Sequence, residues 1–157
     1  MNSEKSKVRS EKRELTARDL ALFGECAVKL DWDGSIYWVI APQFHSNHVQ
    51  LAFEKGRRAL NDFESIDEVK PILRPLSDMT VKEFKEVFKA HNATETYAVE
   101  KIAKMSSTRY DLLSYLAYMD RGNAIPEMLS RYFDLFSWID ADLAIDATEL
   151  TPNPYQS

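Results

Sequence analysis

The first half of the chain alternates hydrophobic and polar positions, which is the pattern of β-strands with one buried face. The clearest case is CAVKLDWDGSIYWVIA, in which two alternating segments flank the turn signal Asp33-Gly34. A three-residue loop pairs Val28 with Trp38 and makes one face wholly apolar, whereas a two-residue loop mixes the faces. We therefore expect a hairpin in the three-residue register, with Trp32 at its tip.

Further extended segments follow the hairpin. A third strand is expected over 48–53, and 57–63 is a weaker candidate. The segment Val69–Leu76 is expected to be extended, because Pro71 and Pro75 disfavour helical geometry in the residues before them. Since proline cannot donate a ladder hydrogen bond, we expect this segment to be an edge strand or a crossing linker.

The second half of the chain changes to a helical period. Thr80 and Glu83 have the spacing of a capping box, so a helix is expected to begin just after Thr80. Three more helical windows cover 94–105, 108–119 and 126–139, and the last is apolar on more than one face. Strands followed by helices predict an α+β domain, with a small antiparallel sheet in the N-terminal half covered by helices from the C-terminal half.

Length and composition indicate a single domain with its own core. The chain has 157 residues, 45 % of them hydrophobic, with only four glycines and six prolines. We expect a flexible charged tail over 1–14, one domain over 15–150 and a loose end over 151–157. The single cysteine, Cys26, excludes an internal disulfide and is expected to be buried. No signal-peptide core and no apolar run near 18 residues is present, so we expect a cytoplasmic protein that does not contact membranes.

The charge balance is acidic and concentrated near one end. The chain carries 20 Lys+Arg and 25 Asp+Glu, and from Asp120 onward seven acids face two arginines. A net charge of −5 argues against nonspecific nucleic-acid binding. The same charge is also explained by solubility alone. A basic interval around 55–74, which includes Lys70 and Arg74, is diluted by acids. The candidate phosphate contacts in the tail and in this interval are Lys5, Lys7, Arg9, Arg57 and Arg58.

Motifs of catalysis are missing from the sequence. It has no glycine-rich phosphate loop, no nucleophile elbow and no zinc-protease helix, so we expect no catalytic residues, no cofactor and no enzyme activity. Asp140, Asp142 and Asp146 permit a magnesium hypothesis for a small hydrolase or nuclease, but a solvated acidic face is the favoured interpretation. His45 and His48 lack further ligands in sequence, so no metal site is expected.

Two stretches carry a family resemblance: VKPILRPLSDMT at Val69–Thr80 and YFDLFSWIDADLAID at Tyr132–Asp146. They resemble a family of small uncharacterised proteins carried by phages and prophages of the Bacteroidetes lineage. The hairpin sequence is also similar to that family's N-terminal part, so the resemblance covers roughly residues 20–148. The chain departs from the family's usual ending at three positions: Tyr132 in place of histidine, and Ser137 and Asp142 in place of glycine.

The resemblance implies an accessory gene of a mobile element, with no catalytic residue to carry over. We expect a non-catalytic protein that binds and modulates a host protein or ribonucleoprotein, and an anti-CRISPR-type inhibitor of a defence nuclease is the specific hypothesis. The alternative is a nucleic-acid-associated accessory protein of phage replication or packaging. Aromatic anchors and acidic side chains are the expected contacts with a partner: Trp32, Tyr37, Asp140, Asp142 and Asp146. Trp38 and Trp138 are expected in the core, and the oligomeric state stays open.

Overall fold

The computed structural model describes residues 14–32, 34–43, 47–52, 63–107 and 124–156. The strands are β1 (Ala27–Leu30), β2 (Ile36–Gln43), β3 (His48–Ala52), β4 (Phe63–Ser65), β5 (Val69–Leu73) and β6 (Ile145–Asp146). The α-helices are α1 (Ala17–Ala21), α2 (Val81–Val87), α3 (Glu95–Ser107) and α4 (Ala124–Ser130). The 3-10 helices are Ile66–Glu68, Leu76–Asp78 and Ala147–Glu149.

The six strands form one sheet in the order β4-β3-β2-β1-β5-β6. Every pair is antiparallel except β5 with β6. Most of the sheet belongs to the N-terminal half and the longer helices belong to the C-terminal half, so the protein has the expected α+β arrangement.

The predicted hairpin forms, but its register was wrong by one residue. Val28 faces Tyr37 rather than Trp38. Leu30 N donates to Ser35 O at 3.0 Å, which makes the connection four residues long, over 31–34. The prediction assumed that only one face of the hairpin is buried, whereas in the structure other side chains pack on both faces.

The second face of the sheet explains this register. Ile36 and Trp38 pack there with Ala27 and Ile72, and Tyr155 from the end of the chain covers them. The first face packs against α1 and the segment after α4, through side chains that include Leu20, Phe23, Trp138 and Ala144. Trp138 is therefore in the core as predicted, and Trp38 is half-buried on the opposite face.

The strand β3 follows its prediction closely. Val49 and Leu51 are buried on the core face, two residues apart as strand periodicity requires. Its pairing with β2 contains a shift between Val39 and Ala41, typical of a β-bulge. The weaker strand candidate over 57–63 lies outside the described residues, apart from its last position.

The proline-containing segment forms β5, an interior strand rather than the expected edge or linker. It pairs with β1 on one side and β6 on the other. Asp31 N donates to Glu68 O at 2.9 Å, and hydrogen-bonded pairs alternate along an antiparallel ladder. The pair of Val28 with Pro71 therefore falls at a non-hydrogen-bonded position, where the missing N–H of proline removes no bond to β1.

The helix α2 begins as the capping box predicts. Thr80 Oγ1 accepts from Glu83 N at 3.1 Å, and Thr80 N donates to Glu83 Oε1 at 3.2 Å. The helix predicted over 94–105 is α3, whereas the window at 108–119 lies outside the described residues.

The last predicted helix was too long. It ends at Ser130 in a Schellman-type turn: Tyr132 adopts φ 70°, Tyr132 N donates to Leu129 O at 3.0 Å and Phe133 N donates to Met128 O at 3.1 Å. Beyond this turn, the buried carboxylate of Asp134 accepts from backbone N–H groups that a longer helix would use. Asp134 accepts from Phe136 N at 3.1 Å, from Trp138 N at 3.1 Å and from Ile139 N at 2.9 Å. An Asp that bonds nearby backbone amides offers the chain an alternative to the helix.

One arginine joins the sheet to the C-terminal helices. The side chain of Arg74, at the end of β5, donates to both carboxylate oxygens of Glu83 at 2.8 Å and through Nε to Asp78 at 2.8 Å. Its guanidinium lies 4.2 Å from the centre of the Phe133 ring. Phe133 belongs to the second apolar cluster, formed by α2, α3 and α4, so Arg74 connects that cluster to the sheet.

The segment that follows the last 3-10 helix contacts the sheet through Tyr155. The hydroxyl of Tyr155 accepts from Ala27 N at 3.0 Å and donates to Ile72 O. These two backbone groups belong to neighbouring strands, so the hydroxyl bridges β1 and β5 in place of a direct ladder bond. Burial is the main cause that raises the pKa of Tyr155 well above its usual range.

The Tyr155 hydroxyl is expected to contribute measurably to stability. In Tyr155→Phe the Ala27 N–H and the Ile72 carbonyl lose their partner, so we expect about 2 kcal/mol less free energy of unfolding. Urea unfolding tests the loss, and faster hydrogen exchange of the Ala27 amide locates it. Tyr97→Phe is the control, because Tyr97 is 45 % exposed. Equal free energies of unfolding for the two variants would show that the hydrogen bonds of the Tyr155 hydroxyl do not contribute to stability.

Ser137 allows a test in which a substitution is expected to raise the stability. Ser137 has φ 58°, a conformation that costs side chains with a Cβ and costs glycine nothing. We expect Ser137→Gly to raise the free energy of unfolding by about 0.5 kcal/mol, net of the entropy that glycine adds to the unfolded chain. Ser106→Gly within α3 should lower it by a similar amount. Thermal unfolding of both variants checks the sign, and destabilisation by Ser137→Gly would contradict the assigned conformation.

Candidate functional site: Trp32 and an acidic groove

The hairpin connection carries the most exposed large hydrophobic side chain among the residues that the structure describes. Trp32 is 65 % exposed, at the hairpin tip where the sequence places it. The residue before it, Asp31, is held to the 3-10 helix beside β5 by its backbone bond to Glu68. The indole is thus presented to solvent from an anchored position.

A groove of about 410 Å³ opens next to this tip. Exposed acidic side chains and one half-buried lysine form its rim: Glu14, Asp31, Asp67, Asp142 and Lys70. Buried and half-buried apolar side chains form its floor: Leu15, Ile66, Val69 and Leu143. We call this surface the acidic groove.

The N-terminal wall of the acidic groove is positioned by the start of α1. Thr16 and Asp19 form a capping box, in which Thr16 N donates to Asp19 Oδ2 at 2.9 Å. Ala17 N also donates to Asn47 Oδ1 at 2.8 Å. These bonds fix the chain just after Glu14, and so place the Glu14 carboxylate at the rim.

The other walls come from the sheet. Because Leu30 pairs with Val69, the residues that follow β1 lie beside those that precede β5. Asp31 comes opposite Glu68, and both Asp31 and Asp67 line the groove. Ser65 caps the short 3-10 helix that carries Asp67. The acidic groove is thus assembled from segments far apart in sequence.

Within the described part of the chain, one ion pair crosses the rim. Lys70 Nζ lies 2.7 Å from Asp142 Oδ1, and the Asp142 side chain is 93 % exposed. The hydrogen bond from Lys70 and its positive charge lower the pKa of Asp142 below its usual value. Asp142 is therefore a carboxylate at neutral pH, and the rim keeps more negative than positive charge.

Tyr37 does not belong to this surface. Its side chain is only 9 % exposed and lies in the core on the first face of the sheet. The one-residue change of register explains the difference, because it turns Tyr37 inward and Trp38 outward. Tyr37 therefore has little surface to offer a partner.

The three predicted C-terminal acids are not brought together. Asp142 lines the acidic groove, whereas Asp140 and Asp146 line a separate cavity of about 780 Å³. Asp146 is engaged locally, accepting from Thr148 N at 2.8 Å and from Thr148 Oγ1 at 2.6 Å. Within the described ranges no group of three His, Cys, Asp or Glu side chains could hold a metal ion.

The candidate phosphate contacts Lys5, Lys7, Arg9, Arg57 and Arg58 lie outside the described residues. Two members of the basic interval are described, and both are used internally. Lys70 pairs with Asp142, and Arg74 pairs with Asp78 and Glu83. Neither presents an uncompensated charge to a nucleic acid.

Cys26 is buried, as its place in the strand pattern predicts. Burial raises the pKa of its thiol to about 12, which keeps the thiol protonated at neutral pH. A protonated, inaccessible thiol is a poor nucleophile, so Cys26 contributes packing.

The acids that matter most for the groove were not found by sequence reasoning. Glu14, Asp31 and Asp67 lie within residues 1–119, where 18 basic and 18 acidic residues balance, so counting charges along the chain does not single them out. The one local signal was Asp31 and Asp33 flanking Trp32, which places acids around an exposed aromatic side chain.

Comparisons with models of protein families, with curated proteins and with solved structures found no match to the chain. Within the part of the chain that the structure describes, no helix has the length and apolar character needed to cross a membrane. Function is therefore inferred from the residues and their geometry, together with the resemblance in sequence.

Proposed function

We propose that this chain is a non-catalytic protein that binds and modulates a host protein or ribonucleoprotein in the bacterial cytoplasm. The observation that carries the proposal is Trp32, 65 % exposed at the hairpin tip beside the acidic groove. Tryptophan is enriched among the residues that dominate binding energy, and it is costly to leave in water. A partner that covers the indole removes that apolar surface from water.

The phage resemblance supports a more specific form of this proposal, the inhibition of a host defence nuclease such as a CRISPR effector. Such effectors hold nucleic acid in positively charged channels. The acidic groove has the charge that complements a channel of this kind, and complementary charge speeds encounter between partners. In this form of the proposal the chain acts by occupying or blocking a basic surface.

The test is capture of a partner from lysate of the bacterial host by the tagged chain, with and without nuclease treatment. We expect one protein or ribonucleoprotein to be retained after nuclease. Trp32→Ala should weaken the affinity for that partner at least tenfold, since large aromatic hot spots contribute roughly 2 kcal/mol or more. Its melting temperature should stay unchanged, because Trp32 is exposed.

The matched control is Tyr97→Ala, which truncates an exposed aromatic side chain on α3, away from the groove. It should capture the same partner as the unmodified chain. Capture that disappears with nuclease would instead support the nucleic-acid-associated alternative and the basic residues outside the described ranges. Equal affinities for Trp32→Ala and Tyr97→Ala would remove Trp32 from the binding surface.

A further inference from the structure

The acidic groove has a chemistry that restricts what its partner can present. We infer that it takes a basic segment of a protein, in which an arginine or lysine stands next to an apolar side chain. This inference rests on the proposed function and names the partner chemistry at the same surface.

The apolar side chain of the partner is inferred from the shape and lining of the groove. Ile66 and Val69 are buried at its floor, 3 % and 7 % exposed, with Leu15 and Leu143 half-buried beside them. A floor of this kind accepts an apolar side chain, because contact with it removes further apolar surface from water. The volume of about 410 Å³ is enough for one or two side chains.

The basic side chain of the partner is inferred from the charge around the floor. Among the residues that the structure describes, four acidic residues and one lysine line the groove, and that lysine already has Asp142 as its partner. The charged residues within two positions of the rim in sequence leave the sign unchanged, because three are basic and three are acidic: Lys12, Arg13 and Lys29 against Asp33, Glu68 and Asp140. The surface therefore repels phosphate groups and attracts cationic side chains.

Trp32 makes arginine a better fit than a simple cation. A guanidinium group stacks on an indole and forms two parallel hydrogen bonds with a carboxylate. Trp32, exposed at this tip, is the next residue along the chain after Asp31, which lines the groove. An arginine placed there is able to use both groups, and the apolar residue next to it faces the floor.

The direct test uses the full chain and a fluorescent nonaarginine peptide, with a nonaglutamate peptide as the charge-reversed probe. We expect nonaarginine binding to shift the backbone amide resonances of Asp31, Asp67 and Asp142. Asp31→Asn/Asp67→Asn should weaken that binding about tenfold, from two exposed charge contacts. Glu95→Gln/Glu100→Gln is the control, because it removes the same charge from exposed positions of α3.

An equal loss in both double variants would mean that the peptide senses only net charge, and it would overturn the inference. Binding of nonaglutamate at the same amides would overturn it as well. Because unfolding would also abolish binding, the melting temperature of each variant is compared first, and Glu14→Gln serves as an independent rim variant.

The captured partner then separates this inference from the proposed function. We expect its affinity to fall both with Trp32→Ala and with Asp31→Asn/Asp67→Asn. If Trp32→Ala weakens capture and the double variant does not, the basic-segment inference fails and the proposed function stands. If no protein survives nuclease while nonaarginine still binds at the rim, the proposed function fails and the charge preference of the groove stands.

Discussion

Replacing Arg74 with methionine is expected to lower the free energy of unfolding by about 3 kcal/mol, a large effect for a single side chain. The Arg74 side chain is only 14 % exposed, and it makes charged hydrogen bonds to Asp78 and Glu83. Methionine keeps part of the volume and the contact with the Phe133 ring, but it leaves Asp78 without the Arg74 guanidinium and Glu83 with only the Arg131 guanidinium, 3.7 Å away.

The state of Glu83 shows why the loss is large. Burial raises the pKa of Glu83, but the hydrogen bonds from Arg74 and Thr80 lower it by more, so that the net pKa lies below the ordinary value. Without Arg74 the burial remains and the main compensation disappears. The Glu83 carboxylate must then stay charged with only the Arg131 guanidinium, 3.7 Å away, or take up a proton, and each choice costs stability at neutral pH.

Urea unfolding of Arg74→Met, compared with Lys70→Met, measures the effect. Lys70 lies in the same strand and also pairs with an acid, but its partner Asp142 is 93 % exposed. We expect Lys70→Met to cost less than about 1 kcal/mol. Arg74→Lys should recover only part of the loss, because an ammonium group cannot form the two-pronged contact with Glu83. Similar values for Arg74→Met and Lys70→Met would show that the guanidinium is dispensable.

Asp134→Ala is expected to have an effect of similar size, about 3 kcal/mol. Asp134 is 7 % exposed, and its carboxylate is the acceptor for three backbone N–H groups that follow it. Alanine leaves those donors without a partner in a turn that places Trp138 in the core. The loss therefore affects the local turn and the apolar cover of the sheet together.

The matched control for Asp134→Ala is Asp140→Ala, which removes the same charge from an exposed position six residues later. We expect it to change the free energy of unfolding by less than about 0.5 kcal/mol. Asp134→Asn should fall between the two, since its single carbonyl oxygen replaces only part of the acceptor capacity. If Asp134→Ala were as stable as Asp140→Ala, the turn would hold its shape without the carboxylate.

The sequence predicts those parts of the fold in which local chemistry and tertiary packing agree. The hairpin, the strand β3 and the capping box of Thr80 and Glu83 are of this kind, because their signals lie within a few residues. The hairpin register and the interior position of Pro71 are not predicted in this way. Each depends on a distant group, such as Tyr155 on the second face of the sheet.

The candidate site divides in the same way. The exposed Trp32 follows from its place at a turn, where a large side chain has little core to enter. The acidic groove does not follow, because Glu14, Asp31, Asp67 and Asp142 come from four separate segments. Their common charge exists only once the sheet has brought these segments together, and no local count along the chain shows it.

The hydrogen bonds of Tyr155 with β1 and β5 form late during synthesis of the chain. The Tyr155 hydroxyl bonds the amide of Ala27, 128 positions earlier, and a carbonyl 83 positions earlier. Once β5 has been made, β1 and β5 can pair. Until Tyr155 is added, the Ala27 N–H and the Ile72 carbonyl at this end of their ladder lack their hydrogen-bond partner. The nascent sheet therefore has two backbone groups open to water or to another chain until Tyr155 has left the exit tunnel.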